Sequence, residues 1–60
     1  MVDPLVVRLR EKRKGLGLSQ RAMAADIGVG HGHLSLIETG VVDPKLSTLR
    51  RMADRLGEPL

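Results

Sequence analysis

The 60-residue chain contains no cysteine and no phenylalanine, tyrosine or tryptophan. Without cysteine it has no disulfide framework and no thiolate-ligated zinc or iron–sulfur site. Without aromatic rings it lacks the platforms on which RNA-recognition sheets and single-strand binders stack bases. These absences exclude two large groups of small domains, the cross-linked ones and the base-stacking ones.

Long hydrophobic runs are also missing. The longest stretch without a charged residue runs from Ile27 to Ile37, is rich in glycine and histidine, and is far shorter than the roughly 20 apolar residues of a membrane span. Asp3, Pro4 and Arg8 interrupt the N-terminus, where a signal peptide would be continuously apolar. We therefore expect a cytoplasmic protein without a membrane partner.

The composition is that of one small globular domain, with 42% hydrophobic and 28% charged residues. The formal net charge is +3, and the excess lies near the N-terminus. Residues 1–21 carry six basic and two acidic side chains, a local balance of +4. A basic end on a small domain is typical of proteins with a polyanionic partner, although a solvated helix face accounts for the same charges.

Start and stop signals predict four helices, at about residues 4–14, 20–27, 31–38 and 46–56. Asp3 followed by Pro4 is a strong helix start, and Ser19 is a suitable N-cap for the second helix. Gly28 ends the second helix, and Gly30 begins the third. No stretch alternates as a strand does, so the prediction is a compact all-α domain.

Apolar residues at helical spacing define the expected core. They are Leu5, Leu9 and Leu16 on the first helix; Met23, Ala24 and Ile27 on the second; Leu34 and Ile37 on the third; Leu46, Leu49, Met52, Ala53 and Leu56 on the fourth.

Two charged residues lie on these apolar stripes. Arg13 follows Leu9 by four residues, and Glu38 follows Leu34 by four. Because a buried charge without a partner is costly, we expect Arg13 and Glu38 to pair with each other. The alternative is that Arg13 extends to solvent and that Glu38 simply precedes the helix end.

The second and third helices have the spacing of a helix-turn-helix, two short helices joined by a glycine-containing turn. Ala24 is small where the helices must cross closely, and Gly28 can adopt the positive φ of a tight turn. Val29, Leu34 and Ile37 would fasten the later helix under the earlier one.

In these features the chain resembles the Xre/Cro/phage-repressor family of helix-turn-helix domains. The matching residues are Leu9, Arg10, Arg13, Gly17, Leu18, Ser19, Gln20, Met23, Ala24, Ile27, Gly28, Val29, Leu34, Ser35, Ile37, Glu38, Gly40, Pro44, Thr48, Leu49, Ala53, Leu56 and Gly57. The resemblance implies a lambda-repressor-like fold with four of its five helices. It also implies sequence-specific binding of operator-like double-stranded DNA, and transcriptional regulation, most often repression.

The resemblance implies roles for individual residues as well. The expected base contacts come from the start of the recognition helix, residues 31–38, and are made by His31, Gly32 and Leu36. The expected contacts to the DNA backbone are made by Ser19, Gln20, Ser35 and Lys45. The less favoured alternative for Ser19 and Gln20 is ordinary helix capping. In this family the residues matching Arg13 and Glu38 commonly pair.

Several positions depart from the family pattern. Gly30 and Gly32 stand where the recognition helix is usually capped and reads bases, and an internal glycine costs a helix about 1 kcal/mol relative to alanine. Leu36 offers only apolar contact, for instance to a thymine methyl. Val41 and Val42 replace frequently polar positions. We therefore expect few direct contacts to bases, and expect DNA shape to contribute more of the sequence specificity.

Other chemistries are less well supported. His31 and His33 point about 200° apart on a helix, so they do not form a metal pair. The glycines from Gly28 to Gly32 follow no strand, unlike a phosphate-binding loop. We expect no enzymatic activity and no cofactor.

The main alternative function is a protein-interaction module, an antitoxin or adaptor that keeps the fold with little DNA binding. Family members often dimerise through a segment after the fourth helix. We therefore expect a monomer in solution and a homodimer on DNA that needs a segment beyond residue 60.

Overall fold

The computed structural model describes residues 2–60, which form four helices and no strand. In chain order they are α1 (Pro4–Gly15), α2 (Gln20–Ile27), α3 (His31–Glu38) and α4 (Leu46–Leu56). The all-α, four-helix prediction is confirmed. The bounds of the last three helices are those expected, whereas α1 continues one residue further, through Gly15.

Two of the helix starts have side-chain caps and two do not. Asp3 Oδ1 accepts a hydrogen bond from the backbone N of Leu5 at 2.8 Å, and Ser19 Oγ accepts one from Ala22 N at 3.0 Å. The N-cap residues of α3 and α4, Gly30 and Lys45, make no such bond. The N-terminal amides of α3 and α4 therefore lack the stabilisation that a capping side chain supplies.

Each helix is followed by a glycine in the left-handed conformation, at Gly17, Gly28, Gly40 and Gly57. The conformation matters most at Gly28, whose φ is 76°. It allows Val29 N to donate to Ala24 O at 3.0 Å, the bond that closes α2 and directs the chain into α3.

Helix α2 packs against α3 and α4, and α1 packs against the same two helices from another side. The buried hydrophobic residues are Val6, Leu9, Met23, Ala24, Ile27, Leu34, Ile37, Met52, Ala53 and Leu56. Leu5, Leu18, Val29 and Leu49 are partly buried against this core. The domain measures 24 × 22 × 20 Å.

Two residues expected in the core are not there. Leu16 is 55% exposed because α1 has already ended at Gly15, and Leu46 is 58% exposed in the first turn of α4, at the edge of its inner face. Val6 and Thr48 are buried instead. The apolar stripes of α1 and α4 are therefore shorter than the sequence pattern indicates, whereas those of α2 and α3 are as expected.

Within residues 2–60 no helix combines the length and the apolar character needed to cross a membrane.

Candidate nucleic-acid interface

Arg13 and Glu38 lie at a junction of three chain segments. Arg13 Nε donates to Glu38 Oε2 and Arg13 Nη2 donates to Glu38 Oε1, each at 2.9 Å, in a two-pronged pair between α1 and α3. Arg13 Nη1 donates to the carbonyl of Leu18 at 2.8 Å. The side chains of Arg13 and Glu38 are 8% and 1% exposed. The pair thus holds α3 against α1 and also anchors the loop that leads into α2.

Gln20, the first residue of α2, belongs to the same junction. Its Nε2 donates to Glu38 Oε1 at 2.8 Å. The residue that the resemblance assigns to a phosphate therefore has a partner inside the protein, while the second hydrogen on Nε2 is available to another acceptor. Sequence reasoning missed this contact, because Gln20 and Glu38 belong to different helices and no local spacing relates them.

Helix α3 has two distinct faces. At about 100° per residue, Leu34, Ile37 and Glu38 fall on one face, and all three are buried. Gly32 and Leu36 lie near the centre of the opposite face, and Leu36 is 42% exposed. The arrangement presents one side of the helix to solvent while the other is fully engaged with the protein.

The remaining α3 residues border this exposed face. His31 and Ser35 lie along one edge and His33 along the other, with both histidines exposed and Ser35 half-buried. The structure thus brings His31, Gly32, Ser35 and Leu36, all predicted contact residues, onto one connected surface.

The fold does not require glycine at the start of α3. A Cβ atom added to Gly30 or Gly32 would meet no atom within 4 Å outside its immediate neighbours, and neither residue has a positive φ. These positions have room for side chains that the sequence does not supply. Any requirement for glycine here comes from outside the domain.

Ser19 and Lys45 stand at the starts of α2 and α4. The Ser19 oxygen accepts the capping bond from Ala22 N, so its hydroxyl hydrogen can still be donated to another group. Lys45 is exposed. Both residues are accessible at a helix N-terminus, where the partial positive charge of the backbone favours an anion.

A shallow cavity of about 320 Å³ lies between the end of α2 and α4, lined by Asp26, Ile27, Arg51, Asp54 and Arg55. Arg55 Nε donates to Asp26 Oδ2 at 2.7 Å, and Arg51 Nη1 donates to the carbonyl of Ile27 at 3.0 Å. The contact made by Arg51 was not anticipated, since an arginine on the polar side of an amphipathic helix gives no sequence signal for a carbonyl partner. Both arginines link α4 to α2.

The basic residues fall into two groups. Arg8 and Lys12 both approach Glu58, at 3.9 and 3.8 Å, and Arg13 and Arg55 have the carboxylate partners described above. Among residues 2–60, the basic side chains without a carboxylate within 4 Å are Arg10, Lys14, Arg21, Lys45, Arg50 and Arg51. The first group has carboxylate partners within the protein, although Arg8 and Lys12 share the single carboxylate of Glu58, and the second group has none.

Residues 9–60 match the family model described as helix-turn-helix, in its Xre/Cro/C1-like type. The chain therefore belongs to this helix-turn-helix family, whose domains are those of DNA-binding transcription regulators. The family is typically not enzymatic. No curated protein and no solved structure matches the chain.

Proposed function

We propose that the chain recognises an operator-type sequence in double-stranded DNA and represses transcription there, with α3 in the major groove. The observation that supports this proposal is the division of α3 into two faces. Leu34, Ile37 and Glu38 hold the helix on the protein, and the opposite face is left open along its whole length. A helix held in this way can enter a groove without disturbing the core.

In the proposed complex, the open face of α3 meets base edges. The His31 imidazole hydrogen-bonds to a base, and Leu36 contacts a thymine methyl. Gly32 offers only backbone, so the helix approaches the floor of the groove closely at that point. With few hydrogen-bonding side chains on this face, specificity rests partly on the shape of the DNA.

Ser19, Gln20, Ser35 and Lys45 are proposed to contact phosphates on either side of the groove. The two helix N-termini at Ser19 and Lys45 add a favourable interaction with an anion. The basic side chains without carboxylate partners add attraction that depends on salt but not on sequence.

Two copies are proposed to bind successive half-sites. Half-sites one helical turn apart are separated by roughly 34 Å. A domain whose longest dimension is 24 Å fits on each without overlap. At this spacing two copies touch little, so we expect the chain to occupy the two half-sites independently, and we expect it to be monomeric at micromolar concentration without DNA. Sedimentation with and without the duplex measures both states.

The proposal is tested by selecting bound sequences from a random duplex pool and then titrating the selected duplex at two salt concentrations. We expect a recurring motif and an affinity that falls steeply with salt, with a slope of about 0.9 for each phosphate contacted. No enrichment and no saturable binding would remove the proposal and favour the protein-interaction function.

His31→Ala then tests base readout, with Gln20→Ala as the comparison variant, because a phosphate contact carries no sequence information. We expect His31→Ala to reduce the preference for the selected over a scrambled duplex by about 1–3 kcal/mol, because one base contact is lost. Gln20→Ala should weaken binding to both duplexes similarly and leave that preference unchanged. Equal losses in both variants would remove His31 from the base-reading surface.

A further inference from the structure

We infer that Glu38 is a positioning residue for Gln20, turning its carboxamide so that the amide nitrogen is presented as the hydrogen-bond donor to a DNA phosphate. The inference rests on the proposed function, since it concerns how a phosphate contact is prepared. It goes further by assigning this buried ion pair a part in DNA binding as well as in holding the helices together.

The orientation of the carboxamide follows from the chemistry of its partner. An ionised carboxylate accepts hydrogen bonds and cannot donate one. Glu38 Oε1 lies 2.8 Å from Gln20 Nε2, so a half-turn of the carboxamide would place its oxygen against the carboxylate oxygen instead. That arrangement is repulsive. Gln20 is therefore held with its NH₂ group at Glu38, and the second hydrogen on the same nitrogen remains for an acceptor.

Glu38 can orient Gln20 because Glu38 itself cannot turn. Its Oε1 accepts from both Arg13 Nη2 and Gln20 Nε2, and its Oε2 accepts from Arg13 Nε. The carboxylate is 1% exposed, so water does not compete for these bonds. The two bonds from Arg13 thus fix the plane of the carboxylate against which the Gln20 carboxamide is placed.

Arg13 also removes an electrostatic obstacle. A carboxylate close to the DNA backbone would repel the phosphates. The two-pronged pair with Arg13 balances that negative charge at 2.9 Å. Along the hydrogen-bonded chain, the positive charge of Arg13 is followed by the negative charge of Glu38 and then by the N–H donor of Gln20. An anion such as a phosphate is therefore a favourable next partner.

The first experiment uses the protein without DNA. Gln20 is the only glutamine and the chain has no asparagine, so an ¹⁵N-labelled sample has a single side-chain carboxamide signal. We expect its ¹⁵N relaxation to approach that of the helical backbone. In the double variant Arg13→Met/Glu38→Met, which replaces the buried pair by apolar groups and leaves no charge unpaired, the same signal should become mobile. A carboxamide already mobile in the parent would overturn the inference.

The second experiment uses the selected duplex with single phosphates replaced by neutral methylphosphonates. In the parent we expect one replacement to weaken binding about tenfold through loss of the Gln20 contact, and Gln20→Ala to abolish that sensitivity. In the double variant the loss of affinity caused by neutralising this phosphate should be at least threefold smaller than in the parent. The losses of affinity at the other phosphates should be the same as in the parent. The variant Glu38→Gln keeps an oxygen acceptor beside Gln20 but adds an amide that can turn. Its loss of affinity at this phosphate should lie between those of the parent and the double variant.

Thr48→Val is the matched control, since Thr48 is a buried polar residue of α4 outside the hydrogen bonds of the Arg13–Glu38 junction. It should fold as the parent does and leave the binding loss at the sensitive phosphate unchanged. A folded double variant that binds DNA with the parent's full sensitivity would overturn the positioning role alone. Absence of saturable duplex binding by the parent would overturn the proposed function and the positioning role together.

Discussion

Helices α2 and α3 are both eight residues long and have a left-handed glycine within two residues of their last residue, but they begin in opposite ways. Helix α2 has a serine N-cap whose side chain bonds to a backbone amide. Helix α3 starts at Gly30 without a side-chain bond and has a second glycine, Gly32, in its first turn. Local interactions therefore stabilise the start of α2 and contribute little at the start of α3.

The difference shows that α3 is held in place by its tertiary contacts. Leu34 and Ile37 are buried, and Glu38 accepts from Arg13 and Gln20, so α3 is firmly anchored from Leu34 onward. Residues 30–33, with both histidines and both glycines, have no comparable support. The end proposed to face the bases is thus the end that the protein stabilises least.

The largest expected effect comes from removing the anchor of α3. Glu38→Ala leaves Arg13 buried without its partner, and we expect a loss of about 3–5 kcal/mol in the free energy of unfolding. A 60-residue domain has little stability in reserve, so this variant should be substantially unfolded at room temperature. Circular dichroism during thermal and urea unfolding measures the effect.

The control for that variant is Asp26→Ala, which breaks the exposed pair between Asp26 and Arg55. Exposed ion pairs contribute between 0 and about 1 kcal/mol, so the control should remain folded. Similar losses in Glu38→Ala and Asp26→Ala would contradict the view that α3 depends on its buried pair.

The second effect concerns the capped start of α2. Ser19→Ala removes the bond from Ala22 N and should cost about 1 kcal/mol. Ser19→Gly is the matched change at the same site and should lower the free energy of unfolding by only a few tenths of a kcal/mol, since glycine is itself an acceptable N-cap. Chemical unfolding of both variants without DNA separates the two values. If alanine and glycine cost the same small amount, the Ser19 cap contributes nothing to α2.

The third effect has opposite signs for stability and for binding. Gly32→Ala should stabilise the domain by about 0.5–1 kcal/mol, because alanine favours the helix and a Cβ has open space there. The same methyl group should weaken DNA binding if the helix approaches the groove closely at Gly32. Gly15→Ala, also in open space but on α1, should stabilise the protein and leave DNA affinity unchanged. Unchanged affinity in Gly32→Ala would place the bases further from α3 than proposed.

The smallest expected effect comes from giving α3 the side-chain cap that it lacks and α2 has. Gly30→Ser gives α3 the same capping residue as α2, at a position where a side chain meets no obstacle. We expect a gain of a few tenths of a kcal/mol, because serine is a better N-cap than glycine. Hydrogen exchange of the first amides of α3 should slow accordingly. Faster exchange in this variant would show that the start of α3 is not limited by capping.

Much of the fold could be predicted because its signals are local. Asp3 and Ser19 are strong N-caps, and the glycines at the helix ends can adopt a backbone conformation that other residues rarely take. The errors in the predicted core occurred at helix ends. Leu16 continues the apolar spacing of α1 but lies after its last residue, and Leu46 lies in the first turn of α4. Both residues are exposed.

The candidate site was predictable in part. A charge on an apolar stripe is visible in the sequence, and this made Arg13 and Glu38 candidates for a pair. The exposed face of α3 follows from its 3.6-residue period once the buried face is known. The contacts of Gln20 with Glu38 and of Arg51 with the Ile27 carbonyl have no such signal, because each joins residues from different helices.

The sequence by itself determined the approximate bounds of each helix and most of its apolar face, since caps, glycines and apolar spacing act within a few residues. Only the tertiary structure decided which polar groups meet. The bond between Gln20 and Glu38 depends on how α2 and α3 pack and on Arg13 holding the carboxylate from α1. Hydrogen bonds require distances near 3 Å and a defined direction, and that precision arises only when three helices are packed together.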